Sequence, residues 1–149
     1  MKYWHINFED ENYWIEVNEY QVVLRQIVDS QHGRIQLSCF EDCLAEGRFD
    51  PLDMDGSVTE ISELLFEERW ESETQKHEHN WLKQKFLYTI GREIDGKILY
   101  FYPQGCIVKI GDAIGCIYAL DNHCAIGDTI KCVIQGYDDK NMWIILSQE

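Results

Sequence analysis

Gly105-Cys106-Ile107-Val108-Lys109-Ile110 and, shortly after it, Gly115-Cys116-Ile117-Tyr118 are the stretches on which the fold turns. Each opens on glycine and runs through β-branched residues, as a short strand does when it leaves a tight corner. Arg92 to Phe101 precedes them as a strand of the same kind. Thr129 to Gln135 and Met142 to Leu146 follow. Gly127-Asp128 introduces the fourth segment, and Tyr137-Asp138-Asp139-Lys140-Asn141 is a polar turn before the fifth. Five short strands with glycines at their corners predict a small closed Greek-key barrel, all-β, over residues 91–149. The expected pairing is antiparallel, with Ile98, Ile107, Val108, Ile117, Ile130, Val133 and Ile145 in the core.

Working outward, the N-terminal residues alternate apolar and polar and are rich in aromatics. Tyr3 to Phe8, Tyr13 to Val17, Tyr20 to Val28 and Arg34 to Leu37 read as strands. Asp29-Ser30-Gln31-His32-Gly33 supplies the turn of a hairpin between the last two. Residues 39–58 read as irregular, with Phe49-Asp50-Pro51 as a breaker. A helix should follow, capped by Ser57 or Thr59. Ile61, Leu64, Leu65 and Trp70 fall on one face and Glu63, Glu67, Glu68 and Glu71 on the other. The helical run extends through Trp81, Leu82, Lys85 and Phe86 to Gly91, with a break around Ser72–Glu78, where apolar residues vanish. The expected organisation is an acidic α+β domain over 1–72, a helical or linker segment over 73–90, and the barrel over 91–149.

Charge narrows the partners. The 149 residues carry 13 Lys and Arg against 27 Asp and Glu, a net charge of −14. Hydrophobic residues make up 45% and aromatics 13%, too many for an acidic disordered chain. Residues 1–90 hold a net −11 and residues 91–149 a net −3. This balance disfavours long-range attraction to nucleic acid or anionic lipid and favours a basic protein partner. No apolar run approaches the roughly 20 residues of a membrane span, and the start of the chain has no apolar signal core. A cytoplasmic protein is expected, with Cys39, Cys43, Cys106, Cys116, Cys124 and Cys132 reduced.

The ordered set Gly96-Lys97-Ile98, Gly105-Cys106-Ile107-Val108, Gly115-Cys116-Ile117-Tyr118, Gly127-Asp128-Thr129-Ile130 and Ile144-Ile145-Leu146-Ser147 resembles the S1 RNA-binding domain, an OB-fold family. The resemblance covers the last 59 residues. It implies that Tyr102 and Tyr118 stack on bases, and that Lys97, Lys109 and Lys131 hold phosphates. Cys106 stands where that family usually has Phe. Weak single-stranded RNA binding is the resulting expectation.

A second series runs through the N-terminal residues. It comprises Leu24-Arg25-Gln26-Ile27 with Gly33-Arg34, then Leu44-Ala45-Glu46-Gly47, then Glu60-Ile61-Ser62 leading to Phe66-Glu67-Glu68-Arg69-Trp70. This resembles a family of small uncharacterised bacterial domains found beside toxins. It implies an α+β binding domain, of inhibitor or immunity type. Glu63, Glu67 and Glu71 are the candidate face for a basic protein partner.

Catalytic and metal chemistry find little support in the residues. Cys39 and Cys43 are spaced C-x3-C and His77 and His79 are spaced H-x-H, which matches no common zinc finger. Placing Gly56 at the sixth position of a calcium loop puts Pro51 first and Ser62 twelfth, where carboxylates are required. His123-Cys124 is a neighbouring pair, whereas catalytic partners are usually distant in sequence. There is no phosphate loop, dinucleotide fingerprint or nucleophile elbow. The expectation is a non-catalytic binding protein with no cofactor and no metal. The alternative is an RNA-binding protein acting through the barrel.

Overall fold

A computed structural model of the chain describes residues 1–121 and 123–149. They form two compact units, Met1–Lys76 and His77–Glu149. In the first, β1 (Lys2–Phe8), β2 (Glu11–Val17), β3 (Val23–Asp29), β4 (Ile35–Leu37) and β5 (Ser57–Ile61) make one sheet in the order β4-β3-β2-β1-β5. Every pairing in it is antiparallel. The helix α1 (Glu63–Thr74) follows. The second unit contains α2 (Glu78–Leu87) and a closed barrel of β6 (Glu93–Tyr102), β7 (Gly105–Ile110), β8 (Ala113–Ile117), β9 (Thr129–Asp138) and β10 (Trp143–Gln148). The architecture is therefore the α+β unit and five-stranded barrel that the sequence predicts, and the barrel is compatible with an OB-fold.

Register explains how the first unit closes. Ile61, Tyr3, Glu16 and Arg25 lie in one row across β5, β1, β2 and β3. Helix α1 covers that row. The Tyr3 and Phe66 rings lie 5.1 Å apart. Arg25 is sandwiched against Phe66 and Trp70, 4.9 and 5.1 Å from the ring centroids. Its guanidinium donates to Glu16 at 2.7 and 2.9 Å and is paired with Glu67 on α1. The Arg25 side chain is only 3% exposed, so its charge depends on those two carboxylates. Burial pulls the guanidinium down, and the hydrogen bonds it donates to Glu16 and Glu67 more than reverse this, leaving it above its ordinary value. The opposite face of the sheet meets the irregular segment after β4, where Phe49 lies 5.6 Å from Trp4 and Gln26 accepts from the Ala45 N–H.

Three local expectations for this unit are corrected. Residues 57–61 form the edge strand β5, not a helix start. Ser-Val-Thr-Glu-Ile alternates as a strand does, and β1 offers it a ladder from Asn7 to Tyr3. The helix cap is Ser62, whose hydroxyl accepts from the Leu65 N–H at 3.1 Å. The buried stripe of α1 is Phe66 and Trp70, one turn apart, while Leu64 and Leu65 are 69% and 51% exposed. The long run to Gly91 is broken by a single 3-10 turn, Gln75–His77.

In the barrel, β10 closes the sheet between β9 and β8, and its pairing with β8 is parallel. The expectation of uniformly antiparallel strands fails there, because the closing strand must run beside β8 in the same direction. Gly115 is needed at that seam. A Cβ on it would sit 2.6 Å from the Leu146 side chain and 3.1 Å from the Ile144 carbonyl oxygen. Ile98, Ile107, Val108, Ile117 and Ile130 are buried as expected. Val133 and Ile145 are only half-buried. On a strand of period two, Ile130, Cys132 and Ile134 share the inner face and Val133 takes the other. Ile144 and Leu146 are likewise buried around Ile145, where the β9–β10 register shifts.

Within the second unit α2 is tied to the β9–β10 turn. The Trp81 indole and the Lys85 ammonium both donate to Asp139 at 2.8 Å. The Tyr137 hydroxyl donates to the Tyr88 carbonyl at 2.7 Å.

Candidate functional site

The barrel brings the two expected stacking residues into one cleft of about 350 Å³, lined by Phe101, Tyr102, Cys106, Ile117, Tyr118 and Asp121 among others. They are not equivalent. Tyr102 is 8% exposed, with its ring 4.9 Å from Tyr100 and 6.2 Å from Trp143. Most of its surface is committed to the fold. Tyr118 is 54% exposed, and Phe101, which the sequence reading passed over, is 51% exposed. The rings available to a ligand are therefore Phe101 and Tyr118. The signal for Phe101 was its place beside Tyr102 at the end of a strand, where neighbouring side chains point to opposite faces.

The lysines lie elsewhere on the same barrel. Lys97 and Lys109 are exposed and directly opposite each other on β6 and β7, while Lys131 faces Asp95 across β9 and β6. Tyr102 pairs with Gly105 at the far end of the β6–β7 ladder. Five residues of extended chain, about 16 Å, separate Lys97 from Tyr102. Among the described residues, the charged side chain lining the cleft is Asp121. The structure thus gathers rings in one place and cations in another.

Three buried thiols of the barrel, Cys106, Cys116 and Cys132, are poor nucleophiles. Burial pushes the Cys106 thiol up to about 11, with smaller contributions from Cys124 and Cys132. Burial raises Cys132 to about 11 and Cys116 to about 12. A thiol held that high is protonated at neutral pH and does not attack or ligate readily. Cys124 accepts from the Gln148 amide at 3.7 Å, and the neighbouring His123 backbone N–H donates to Asp121. Cys39 and Cys43 belong to the first unit and His77 and His79 to the second, where both histidines are exposed. Burial raises Cys43 to about 12, helped by Glu41 and Asp42.

The acidic helix offers the other expected surface. Glu63 and Glu71 are exposed. Glu67 differs, because it belongs to the ion pair that holds Arg25. Its charge is spent inside the domain. Glu68 on α1 is also exposed, so the outward acids of the helix are Glu63, Glu68 and Glu71. Leu64 and Leu65 stand among them. The basic residue of this helix, Arg69, is turned toward the sheet. It lies 4.6 Å from the centroid of Trp14 and pairs with Asp29 and Glu73. Among the described residues of α1 this face is acidic and apolar together, with the Arg69 guanidinium directed at Trp14.

Compared with models of known protein families and with curated proteins, the chain matches none. Among the described residues, no helix is long and apolar enough to cross a membrane.

Proposed function

We propose that the protein is a non-catalytic binding module whose acidic N-terminal unit recognises a basic protein partner through the outward face of α1. The observation that carries this reading is the exposed pair Leu64 and Leu65 set among Glu63, Glu68 and Glu71 on the same helix. Apolar contact supplies affinity, and the surrounding carboxylates select a partner of opposite charge and speed its approach. The first unit holds 6 basic and 18 acidic residues, so its field has the same sign as the face. The N-terminal resemblance to toxin-associated domains supports an inhibitor or immunity role.

The test is retention of partners by the full chain from nuclease-treated cytosol, followed by binding measurements on the purified partner. The triple variant E63Q/E68Q/E71Q should weaken that binding and flatten its salt dependence. A partner held equally by the triple variant rejects this face.

A second reading is favoured by Phe101 and Tyr118, two exposed rings on one barrel cleft, and by the resemblance to S1 domains. Base stacking on such rings is worth roughly 1–3 kcal/mol per base. The distance to the lysines limits phosphate contacts. Single-stranded RNA is therefore expected to bind no tighter than about 10 μM at physiological salt. Sub-micromolar binding that is lost in a Phe101→Ala/Tyr118→Ala double variant makes RNA the principal ligand.

A further inference from the structure

The N-terminal unit carries a cleft of about 600 Å³ lined by Lys2, Trp4, Gln21, Arg48, Phe49, Asp50 and Asp53. Its size is that of a small-ligand site. Its charges set it apart from the rest of the unit. Six cations serve this unit, among 18 carboxylates. Arg25, Arg34, Arg69 and Lys76 all take part in ion pairs. Lys2 and Arg48 are the two that do not, among the described residues, and both line this cleft. Asp50 and Asp53 line it as well, and neither is ion-paired among the described residues. One Asp50 oxygen holds the Leu52 N–H at 2.9 Å.

Two further features belong to the same walls. Gln21 has φ of 65°, a left-handed backbone that a non-glycine residue rarely adopts. It is held there by the Phe49 N–H, which donates to the Gln21 carbonyl at 2.7 Å. Backbone held in such a region costs on the order of 1–3 kcal/mol, and it gathers at ligand clamps. The Trp4 indole N–H is sealed from solvent and finds no acceptor among the described residues. A buried donor left in that state favours any rearrangement that brings an oxygen to it.

We propose that this cleft binds a small zwitterion of the amino-acid class, with an apolar side chain. Lys2 and Arg48 take the carboxylate, Asp50 and Asp53 take the ammonium, and the Trp4 ring takes the side chain. The pairing of signs decides against simpler ligands. A lone anion meets two carboxylates in the same cleft, and a lone cation meets two basic groups. A ligand carrying both charges meets an opposite charge at each end, and none of the four side chains has an ion-pair partner among the described residues to compete with it. The site is independent of the α1 face proposed above.

Calorimetry on the full chain tests this with L-phenylalanine as the probe. Two analogues each lack one charge: 3-phenylpropionate has no ammonium, and 2-phenylethylamine has no carboxylate. Phenylalanine is expected to bind, and each analogue to bind at least about tenfold more weakly. Arg48→Gln and, separately, Asp53→Asn should each reduce phenylalanine affinity about tenfold or more. Arg34→Gln, outside the cleft, should leave it unchanged. Arg48 meets Val22 through a backbone bridge, which glutamine preserves. Lys2→Gln gives a second loss of cationic charge should the first variant unfold. An analogue that binds as tightly as phenylalanine overturns the proposal, as does the absence of phenylalanine binding up to about 10 mM, or affinity unaltered in the cleft variants.

Discussion

The two units bury comparable apolar strands but close them by different means. In the barrel, Ile98, Ile107, Ile110, Ile117, Ile134, Trp143 and Ile144 are all fully buried, and the interior is almost wholly apolar. In the N-terminal unit the helix is clamped to the sheet by Arg25, held between Glu16 and Glu67 and stacked on Phe66 and Trp70. Burial pushes Tyr3 up to about 12, and its bond to Glu16 adds to the shift. An apolar interior loses stability in proportion to the atoms removed. A buried ion cluster fails abruptly when one member goes, because the remaining charge has no solvent to return to. The first unit is therefore brittle and the second graded.

The largest effect expected is from Arg25→Ala. It strands two carboxylates under α1 and should cost the N-terminal unit about 3–5 kcal/mol. Denaturant titration followed by amide resonances of residues 1–76 and 77–149 reads each unit separately. Loss confined to the first set supports the contrast, and equal loss in both sets breaks it. Replacing the triad by uncharged residues, as Glu16→Gln/Arg25→Met/Glu67→Leu, with the glutamine keeping an acceptor for Tyr3, should restore most of the stability.

In the barrel, Ile144→Ala should cost about 2–5 kcal/mol and Ile144→Val about 0.5–1.5 kcal/mol. The same titration checks that the two losses scale with the carbon removed. A barrel that collapses equally for both is not graded.

Ser62→Ala removes the helix cap and should lower the N-terminal unit by about 1 kcal/mol. Ser62→Asp should retain that contribution.

The smallest effect concerns pH. The Lys85 and Trp81 donors hold the Asp139 carboxyl below its ordinary value. Such a group stabilises the fold fully above its unfolded pKa, about 3.9, and the contribution fades as pH falls through the lower folded value. The Trp81 indole proton resonance should thus be constant from neutral pH to about pH 5 and shift only below about pH 4. Asp139→Asn should abolish that acid-side change. Asp139 is largely exposed, so the global stability change is slight.

Local pattern made much of this fold readable. The hairpin of β3 and β4 follows from its turn residues, and the barrel strands follow from β-branched runs set off by glycines or, before β10, by a polar turn. Features made by distant residues were not readable. Arg25 and Glu67 are 42 positions apart, and nothing near either announces the other. Residues 57–61 carry both capping hydroxyls and strand alternation, and only the free edge of β1 decides between them. Val133 and Ile145 looked like core by composition, and strand parity with a register shift turned them half outward. At the barrel cleft, Tyr118 and Tyr102 were legible as rings, but burial separated their roles and brought Phe101 forward. Lys2 and Arg48 stand out only once the ion pairs of every other cation in their unit are known.

The position of β10 also bears on how the protein is made. A ribosome finishes all of the N-terminal unit's strands and α1 by Thr74. The barrel cannot close until Trp143–Gln148 has been synthesised and has emerged, because that strand alone joins β8 to β9. Through most of its synthesis the second half therefore exposes two unpaired edges, the condition in which nascent β-sheets meet wrong partners. Domains generally fold as units from the N-terminus onward, and by then the whole of the acidic first unit has been synthesised. Its negative charge accompanies the unfinished barrel as a built-in deterrent to association between neighbouring nascent chains.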